Sequence, residues 1–295
     1  MKLAVTATPR PVPFGPIVLQ GDLDAAFALA AELGYDGVEV HLRHPDEVDR
    51  GAIVAMAAKH AIEIPTLGTG FAAMEDGLKF ASPDPEIRRR AVARVREHIS
   101  LAKGLHSAVT IGALSGNAGS DPCERSVRRR AALTCLEECC EAAAASGVTL
   151  LLEPINRYEC DYVNTLADAM DIVRQVGAPT LKVLADTFHM NIEEANIAES
   201  LREAGSLLGH VHLVDSNRQA PGHGHLDVRE ILRVLTDMDY QGFISFEVLP
   251  RPTPRDAAAD AISCVRGILN DLGAPSAQRA KPRGEHGDNR RPYGR

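Results

Sequence analysis

Short apolar runs alternate with longer amphipathic stretches along most of the chain. The short runs are rich in Val, Ile and Leu and predict eight strands, at residues 2–6, 37–42, 62–67, 108–113, 148–153, 181–186, 210–214 and 243–248. The longer stretches carry apolar residues at helical spacing. They predict helices most clearly at residues 24–33, 86–103, 126–145, 165–176, 228–238 and 254–272.

This order of elements indicates a fold class. Strict alternation of strands with helices predicts an α/β fold with parallel strands. Eight such units favour closure into a single (β/α)8 TIM barrel over residues 1–272, although an open doubly wound sheet also fits the pattern. Thr165 and Asp168 form a capping-box pattern at the start of one helix, and Gly104 and Gly147 mark the ends of two others.

The last segment of the chain has a different composition. Residues 273–295 are polar, rich in Gly and Pro, and locally basic. Such a segment has too few apolar residues to bury a core, so the sequence predicts a disordered basic tail. A solvated tail is favoured over one that contacts an anionic partner.

Composition narrows the class of protein. The 295 residues are 45% hydrophobic and 24% charged, as in soluble globular proteins. The net charge of −8 and the 4% aromatic content argue against a nucleic-acid partner. No apolar stretch reaches the roughly 18 residues of a membrane span, and the start of the chain does not resemble a signal peptide. The six cysteines form no disulfide framework, so we predict a cytoplasmic protein.

Four polar residues stand at the carboxyl ends of the last four predicted strands: Glu153, Asp186, His212 and Glu247. They are separated by 33, 26 and 35 residues, close to the length of one strand–helix–strand unit, about 30 residues. In a barrel, the carboxyl ends of the strands converge on the face where active sites are built. Three carboxylates and one imidazole are a ligand set suited to a divalent cation. The pattern therefore predicts a metal site.

Other polar residues near these strand ends have weaker signals. A single Glu at a strand end is usually solvated or paired with a cation, and a single inward His is usually a hydrogen-bonded core residue. His210 fits the second description or supports His212, since both lie on one strand face. The pattern leaves open whether Glu39 faces the cavity or the outer helices. His223 and His225 lie in a Gly-rich loop and are expected to be exposed or part of a lid.

Three longer strings carry a family resemblance. Residues 153–159 (Glu-Pro-Ile-Asn-Arg-Tyr-Glu), 185–194 (Ala-Asp-Thr-Phe-His-Met-Asn-Ile-Glu-Glu) and 215–227 resemble the xylose isomerase-like TIM barrel family. Within it, they are most similar to metal-dependent ketose 3-epimerases of the D-tagatose and D-psicose 3-epimerase type. Residues 68–70 and 76–83 also resemble the 5-keto-L-gluconate epimerase branch. The resemblance covers about residues 1–270.

The resemblance implies roles for individual residues. Glu153, Asp186, His212 and Glu247 match metal ligands, and Glu153 and Glu247 also match a pair of catalytic carboxylates. The positions that match substrate-binding residues are Glu159, His189 and Arg218. The implied cofactor is a divalent metal, first Mn²⁺ and then Mg²⁺ or Co²⁺. The implied partner is a small sugar or keto-sugar acid, with no nucleic acid or membrane, and the chain is expected to form a homodimer or homotetramer.

The implied activity is an isomerase that interconverts C3 epimers through an enediolate. The first expected substrate is of the 5-keto-L-gluconate/D-tagaturonate type, and the second is of the D-tagatose/D-psicose type. One alternative is an aldose–ketose or hydroxypyruvate isomerase on the same barrel. Another is an AP endonuclease of the endonuclease IV type, but the predicted third and fourth strands lack the extra histidines that such enzymes use to bind zinc. A non-catalytic sugar-binding barrel is a further alternative.

Overall fold

The computed structural model describes residues 1–12 and 15–273, and all strands in this part of the chain belong to one parallel sheet. The strands are β1 (Lys2–Thr8), β2 (Leu19–Gln20), β3 (Gly37–His41), β4 (Thr66–Gly68), β5 (Ala108–Ile111), β6 (Leu150–Leu152), β7 (Leu181–Asp186), β8 (Leu208–His212) and β9 (Phe243–Phe246). The first and last strands also pair, with Lys2 opposite Phe243 and Val5 opposite Phe246.

This pairing closes the sheet into a barrel of eight strands, because β1 has β3 on one side and β9 on the other. The short strand β2 is additional and pairs with the end of β1, where Ala7 lies opposite Leu19. The predicted (β/α)8 TIM barrel is therefore confirmed, and the open doubly wound sheet is excluded.

Helices connect the strands and cover the barrel. They are α1 (Leu23–Leu33), α2 (Arg50–His60), α3 (Gly70–Asp76), α4 (Pro85–Leu105), α5 (Pro122–Ser146), α6 (Leu166–Val176), α7 (Thr187–Glu193), α8 (Ile197–Ala204), α9 (Val228–Asp237) and α10 (Pro254–Gly273). The capping box of Thr165 and Asp168 is present at α6, and Gly147 ends α5 in the left-handed conformation. Gly104, by contrast, lies inside α4, which ends one residue later. None of these helices is long and apolar enough to cross a membrane.

The core combines the strand interiors with the inner faces of the helices. Large side chains such as Phe27 on α1 and Phe246 on β9 are completely buried. Full burial of a side chain of this kind stabilises the fold by about 1.5–3 kcal/mol. Cys139, on α5, is buried in the same core, and burial raises the pKa of its thiol well above the ordinary value. Cys135 and Cys140 of the same helix are also buried, so these three cysteines pack as apolar residues, whereas Cys123 at the start of α5 is exposed.

Several strands begin or end a few residues away from the predicted positions, and two of these differences bear on the site or have a clear physical reason. The predicted strand 62–67 shortens to Thr66–Gly68, because Pro65 has no N–H to donate and Glu63 forms only an isolated bridge with Gly37. β6 ends at Leu152, so Glu153 is the first residue after the strand, although its N–H still donates to the carbonyl of Ile111 at 3.0 Å. The predicted disordered tail lies outside the described residues, except for Gly273, which is the last residue of α10.

Candidate metal centre and active site

The four predicted metal ligands come together at the carboxyl ends of β6 to β9. Each offers one ligand atom, and these four atoms all lie within 4.8 Å of one another. The Nδ1 atom of His212 is 3.5 Å from an oxygen of Glu153, 3.6 Å from Asp186 Oδ2 and 4.0 Å from Glu247 Oε2. The imidazole therefore lies at the centre of three carboxylates, and the strand ends place them there.

Glu39 fixes the orientation of this imidazole. Its carboxylate is completely buried in β3 and lies 3.1 Å from Nε2 of His212, 3.1 Å from Nε2 of His210 and 2.9 Å from Nε2 of His41. Burial raises the pKa of Glu39, but the three imidazoles outweigh it and hold this pKa well below the ordinary value. An ionised Glu39 accepts the Nε2 proton of His212, which leaves Nδ1 as the atom that faces the other carboxylates.

Glu39, His210 and His212 also form a group whose ligand atoms are close enough to hold an ion. Their contacts explain the proximity without one, because each histidine is hydrogen-bonded to Glu39 and His210 also contacts Ser245 Oγ at 2.8 Å. This cluster supports the site rather than forming a second one. The expectation that His210 is a buried, hydrogen-bonded residue is thus confirmed.

Two buried atoms of the four predicted ligands have no hydrogen-bond partner in the described part of the chain. They are Nδ1 of His212 and Oδ2 of Asp186, and each belongs to a side chain only 1% exposed. Leaving such a group unpaired costs about 1–3 kcal/mol, and more when it is charged. Asp186 Oδ1, in contrast, accepts from Phe188 N at 2.7 Å as the N-cap of α7. A cation bound by the two unpaired atoms, Glu153 and Glu247 would satisfy both, so these residues fit a divalent metal.

Burial and neighbouring charges together shift the pKa values of the residues at the site. Burial lowers the pKa of His212, but the carboxylates around it, led by Glu39, raise the pKa well above the ordinary value of imidazole. Burial raises the pKa of Asp186, but the imidazoles of His189 and His212 outweigh this effect and lower the pKa to about 2. Burial in turn raises the pKa of Glu247. Crowded carboxylates in a buried place favour a bound cation.

A cavity of about 510 Å³ opens over these residues. Its volume is within the range of small-molecule sites, about 300–1,000 Å³. Of the seven predicted site residues, six line it: Glu153, Glu159, His189, His212, Arg218 and Glu247. Asp186 is the seventh and is buried beside His212. The sequence-based prediction that these residues share one site is therefore matched by their positions.

His189 has a definite tautomer in this arrangement. Its Nδ1 accepts from the side-chain amide of Asn156 at 2.8 Å and lies 3.3 Å from the backbone N of Asn156. Since Nδ1 is an acceptor, a neutral ring carries its proton on Nε2. The same amide donates to Glu159 Oε1 at 2.9 Å. Asn156, which the sequence did not single out, thus orients two residues of the cavity.

Arg218 lies between two carboxylates of the cavity. Its guanidinium is 3.3 Å from Glu159 and 3.4 Å from Glu247, and it packs over the ring of Phe188 at 4.6 Å. Nε of Arg218 is buried without a hydrogen-bond partner among the described residues. The residue nevertheless lines the cavity, so its guanidinium can reach a bound molecule. His223 and His225 are exposed, as expected from their loop.

A larger cavity, of about 1480 Å³, opens at the opposite end of the barrel. Its walls include the segments that precede β4, β5 and β9. Of the residues in the two ligand clusters described above, these walls contain His210 alone. Active sites of TIM barrels lie at the carboxyl ends of the strands. Chemistry and fold thus both favour the smaller cavity.

The fold and this site together define a TIM-barrel enzyme with a carboxylate and imidazole cluster at the ends of its last strands. Residues 27–268 match the family model described as "Xylose isomerase-like TIM barrel", and the chain belongs to that family. It is 33% identical over 235 residues to an L-ribulose 3-epimerase of Mesorhizobium japonicum, which covers 77% of this chain and 76% of the relative. A D-psicose 3-epimerase of Ruminiclostridium cellulolyticum is 34% identical over 233 residues, or 75% and 76% of the two chains.

A solved structure has the same architecture. The crystal structure of D-psicose 3-epimerase with D-tagatose from Clostridium cellulolyticum superposes with a TM-score of 0.76 at 26% identity. The match covers 91% of this chain and 99% of that one. The barrel is thus shared over nearly its whole length.

Proposed function

We propose that this chain is a divalent-metal-dependent epimerase that inverts carbon 3 of a ketose or keto-sugar acid. The observation that carries the proposal is the convergence of Glu153, Asp186, His212 and Glu247 on one point at the base of the cavity. The relatives named as ketose 3-epimerases support the reaction class.

The same four residues would hold the metal. Mn²⁺ is our first proposal, with Mg²⁺ or Co²⁺ next, because carboxylate and imidazole ligands discriminate weakly among these ions. When bound, such an ion acts as a Lewis acid that withdraws charge from the substrate's ketone oxygen, a contribution worth several kcal/mol. The orientation of His212 by Glu39 and the capping role of Asp186 hold two of the ligands in place before any ion arrives.

Glu153 and Glu247 are the proposed catalytic pair. Inversion of a carbon next to a ketone requires removal of its proton from one face and return of a proton to the other face. Two carboxylates that converge on the same point, from β6 and β9, are suited to these roles as base and acid. General acid–base catalysis of this kind contributes about 10²–10⁴-fold. Which carboxylate acts as base depends on the epimer that is bound.

Three further residues are proposed to bind the substrate near its carbonyl end. Nε2–H of His189 can donate to an oxygen that gains negative charge as the enediolate forms, since its tautomer is set by Asn156. The guanidinium of Arg218 can donate to a substrate oxygen, and Glu159 can accept from a hydroxyl group. All three line the cavity that contains Glu153 and Glu247.

For the substrate, we propose first a keto-sugar acid of the 5-keto-L-gluconate/D-tagaturonate type, and second a neutral ketohexose of the D-tagatose/D-psicose type. The first rests on the similarity of residues 68–70 and 76–83 to the 5-keto-L-gluconate epimerase branch. The names of the relatives support the second. The cavity volume suits either.

The test is solvent deuterium exchange followed by NMR. Metal-loaded and metal-stripped protein is incubated in D₂O with 5-keto-L-gluconate, D-tagatose, D-psicose and ribulose. We expect metal-dependent deuterium at C3 together with the C3 epimer. Deuterium at C1 with an aldose product would support the aldose–ketose isomerase instead, and no exchange with any substrate would reject the proposed substrate class.

Glu39→Gln is expected to weaken metal binding about 10- to 100-fold, as is usual when the hydrogen-bond partner of a ligating histidine is changed. Glutamine has the same size but lacks the charge that keeps the proton on His212 Nε2. The measurement is the Mn²⁺ dissociation constant by competition with a chromophoric chelator. Glu63→Gln is the control, because the Glu63 side chain is exposed and pairs with Lys2 alone among the described residues. An unchanged dissociation constant in folded Glu39→Gln protein would contradict the role of Glu39.

A further inference from the structure

Lys79 lines the same cavity as Glu153 and Arg218 but takes no part in the site described so far. It precedes a short segment that is fixed to the turn after β5, where Phe80 N donates to Leu114 O at 2.8 Å and Ala81 N donates to Ser115 O at 3.1 Å. The backbone of this segment is therefore held at the carboxyl end of the barrel. The side chain of Lys79 is half-buried.

The ammonium group of Lys79 has no ion pair and no side-chain hydrogen bond with any residue between 1–12 or 15–273. Other cations near the cavity are paired: Arg10 with Glu75 at 2.7 Å, and Arg43 and Arg94 with Asp76. Arg218 already contacts both Glu159 and Glu247. In a concave, partly desolvated cavity, an unpaired cation interacts strongly with a bound anion.

A second donor lies in the same wall. Asn117 also lines the cavity, and its Oδ1 accepts from Asp161 N at 3.2 Å, so its amide N–H groups remain available. The carboxylate of Asp161 is itself occupied by the N–H groups of Ala118 and Gly119. This wall therefore combines a positive charge with an amide donor.

The turn that follows β5 lies close to both Lys79 and Glu153, one of the two proposed catalytic carboxylates. The 3₁₀ turn Ala113–Ser115 lies between Gly112 and Gly116. A Cβ on Gly112 would meet Glu153 Oε2, and one on Gly116 would lie 2.8 Å from Cβ of Lys79. The contact with Glu153 and the contact with Lys79 are therefore four residues apart on one loop of the cavity wall.

We propose that Lys79 binds the carboxylate of a keto-sugar acid, at the end of the substrate remote from the reacting carbon, and so selects acids over neutral ketoses. The inference rests on the proposed function and names the residue that recognises the acid. A single ammonium with an amide suits a singly charged carboxylate.

The test compares Lys79→Met, which keeps the length of the side chain but removes its charge, with Lys79→Arg, which keeps the charge. Lys103→Met is the matched control, at an exposed lysine on α4 outside this cavity. We expect Lys79→Met to lower kcat/KM for 5-keto-L-gluconate about 10- to 100-fold, the usual effect of losing a hydrogen bond to a charged group. The loss should appear in KM, while kcat/KM for D-tagatose stays within about twofold. Lys79→Arg should retain most of the preference for the acid.

Equal losses for acid and neutral substrates, or no loss for the acid, would overturn the inference. A binding experiment tests the role of Lys79 independently of the proposed reaction. Metal-loaded protein is titrated calorimetrically with D-gluconate and with its neutral counterpart D-glucitol. The wild-type chain and Lys103→Met should prefer gluconate, and Lys79→Met should not. If this preference is found but no C3 exchange occurs, the reaction fails and the role of Lys79 stands. If the wild-type chain shows no preference, the role of Lys79 fails.

Discussion

Replacing Glu153 or Glu247 by glutamine is expected to reduce epimer formation by at least about 10³-fold and to leave the fold intact. Each carboxylate is proposed to move a proton on one face of the reacting carbon, and glutamine cannot do so, although it has the same size. Loss of one acid–base group costs about 10²–10⁴-fold, and loss of ligand charge adds to this. Rates of epimer formation, measured by NMR with metal content determined for each variant, test the expectation.

The two variants should also differ from each other. A variant that retains one carboxylate can still remove the C3 proton of the epimer in which this proton points towards the remaining carboxylate. Each variant should therefore exchange the C3 proton of one epimer with solvent without forming the other, and the favoured epimer should be opposite in the two variants. Glu199→Gln, at an exposed residue of α8, is the control. Normal epimer formation by either active-site variant would contradict the assignment of the pair.

Removal of the metal is expected to abolish turnover and to lower the unfolding temperature. An ion present at 100 times its dissociation constant stabilises the folded state by about 2.7 kcal/mol. Asp186→Asn tests whether this stabilisation comes from the proposed site. Asparagine is as good an N-cap as aspartate, so α7 keeps its cap while one ligand loses its charge. We expect the wild-type chain to gain thermal stability with Mn²⁺ and Asp186→Asn to gain much less.

Asp121→Asn is the matched control for this experiment. Asp121 caps α5 in the same way, accepting from Cys123 N and Glu124 N, but it neither belongs to the ligand cluster nor lines the cavity. This variant should keep the full response to Mn²⁺. If Asp186→Asn responds as strongly as the wild-type chain, or if Mn²⁺ has no effect on either, the ion is not bound where we propose.

The sequence predicted that these four residues share one edge of the barrel, as they do, because the signal is local. A carboxylate or imidazole directly after a buried apolar run is visible in one strand at a time, and parallel strands bring such positions to one edge. Asp186 illustrates this well: the predicted strand and β7 both end at that residue. The short helix α7 that follows was not predicted, since Asp186 serves both as the end of the strand and as the cap of the helix.

Glu39 could not be assigned from its own strand. Alternation in β3 places a side chain on one face or the other, but all five residues of β3 are buried, so polarity does not distinguish the faces. Its function depends on His210 and His212, which lie on β8 and are distant in sequence. Lys79 is similar, because the absence of a partner is a property of the folded cavity. Such roles arise from tertiary contacts that no local pattern encodes.

Closure of the sheet links the chemistry to the order in which the protein can assemble. Glu247 directly follows β9, the strand whose pairing with β1 completes the ring. Contacts between segments so distant along the chain form late, because their loop-closure entropy must be overcome first. Before β9 docks, β1 and β8 each expose an unpaired edge, which is prone to aggregation. In a partly folded chain, the barrel would be open and Glu247 would not yet be positioned in the site. Catalytic activity should therefore appear only at the final step of folding.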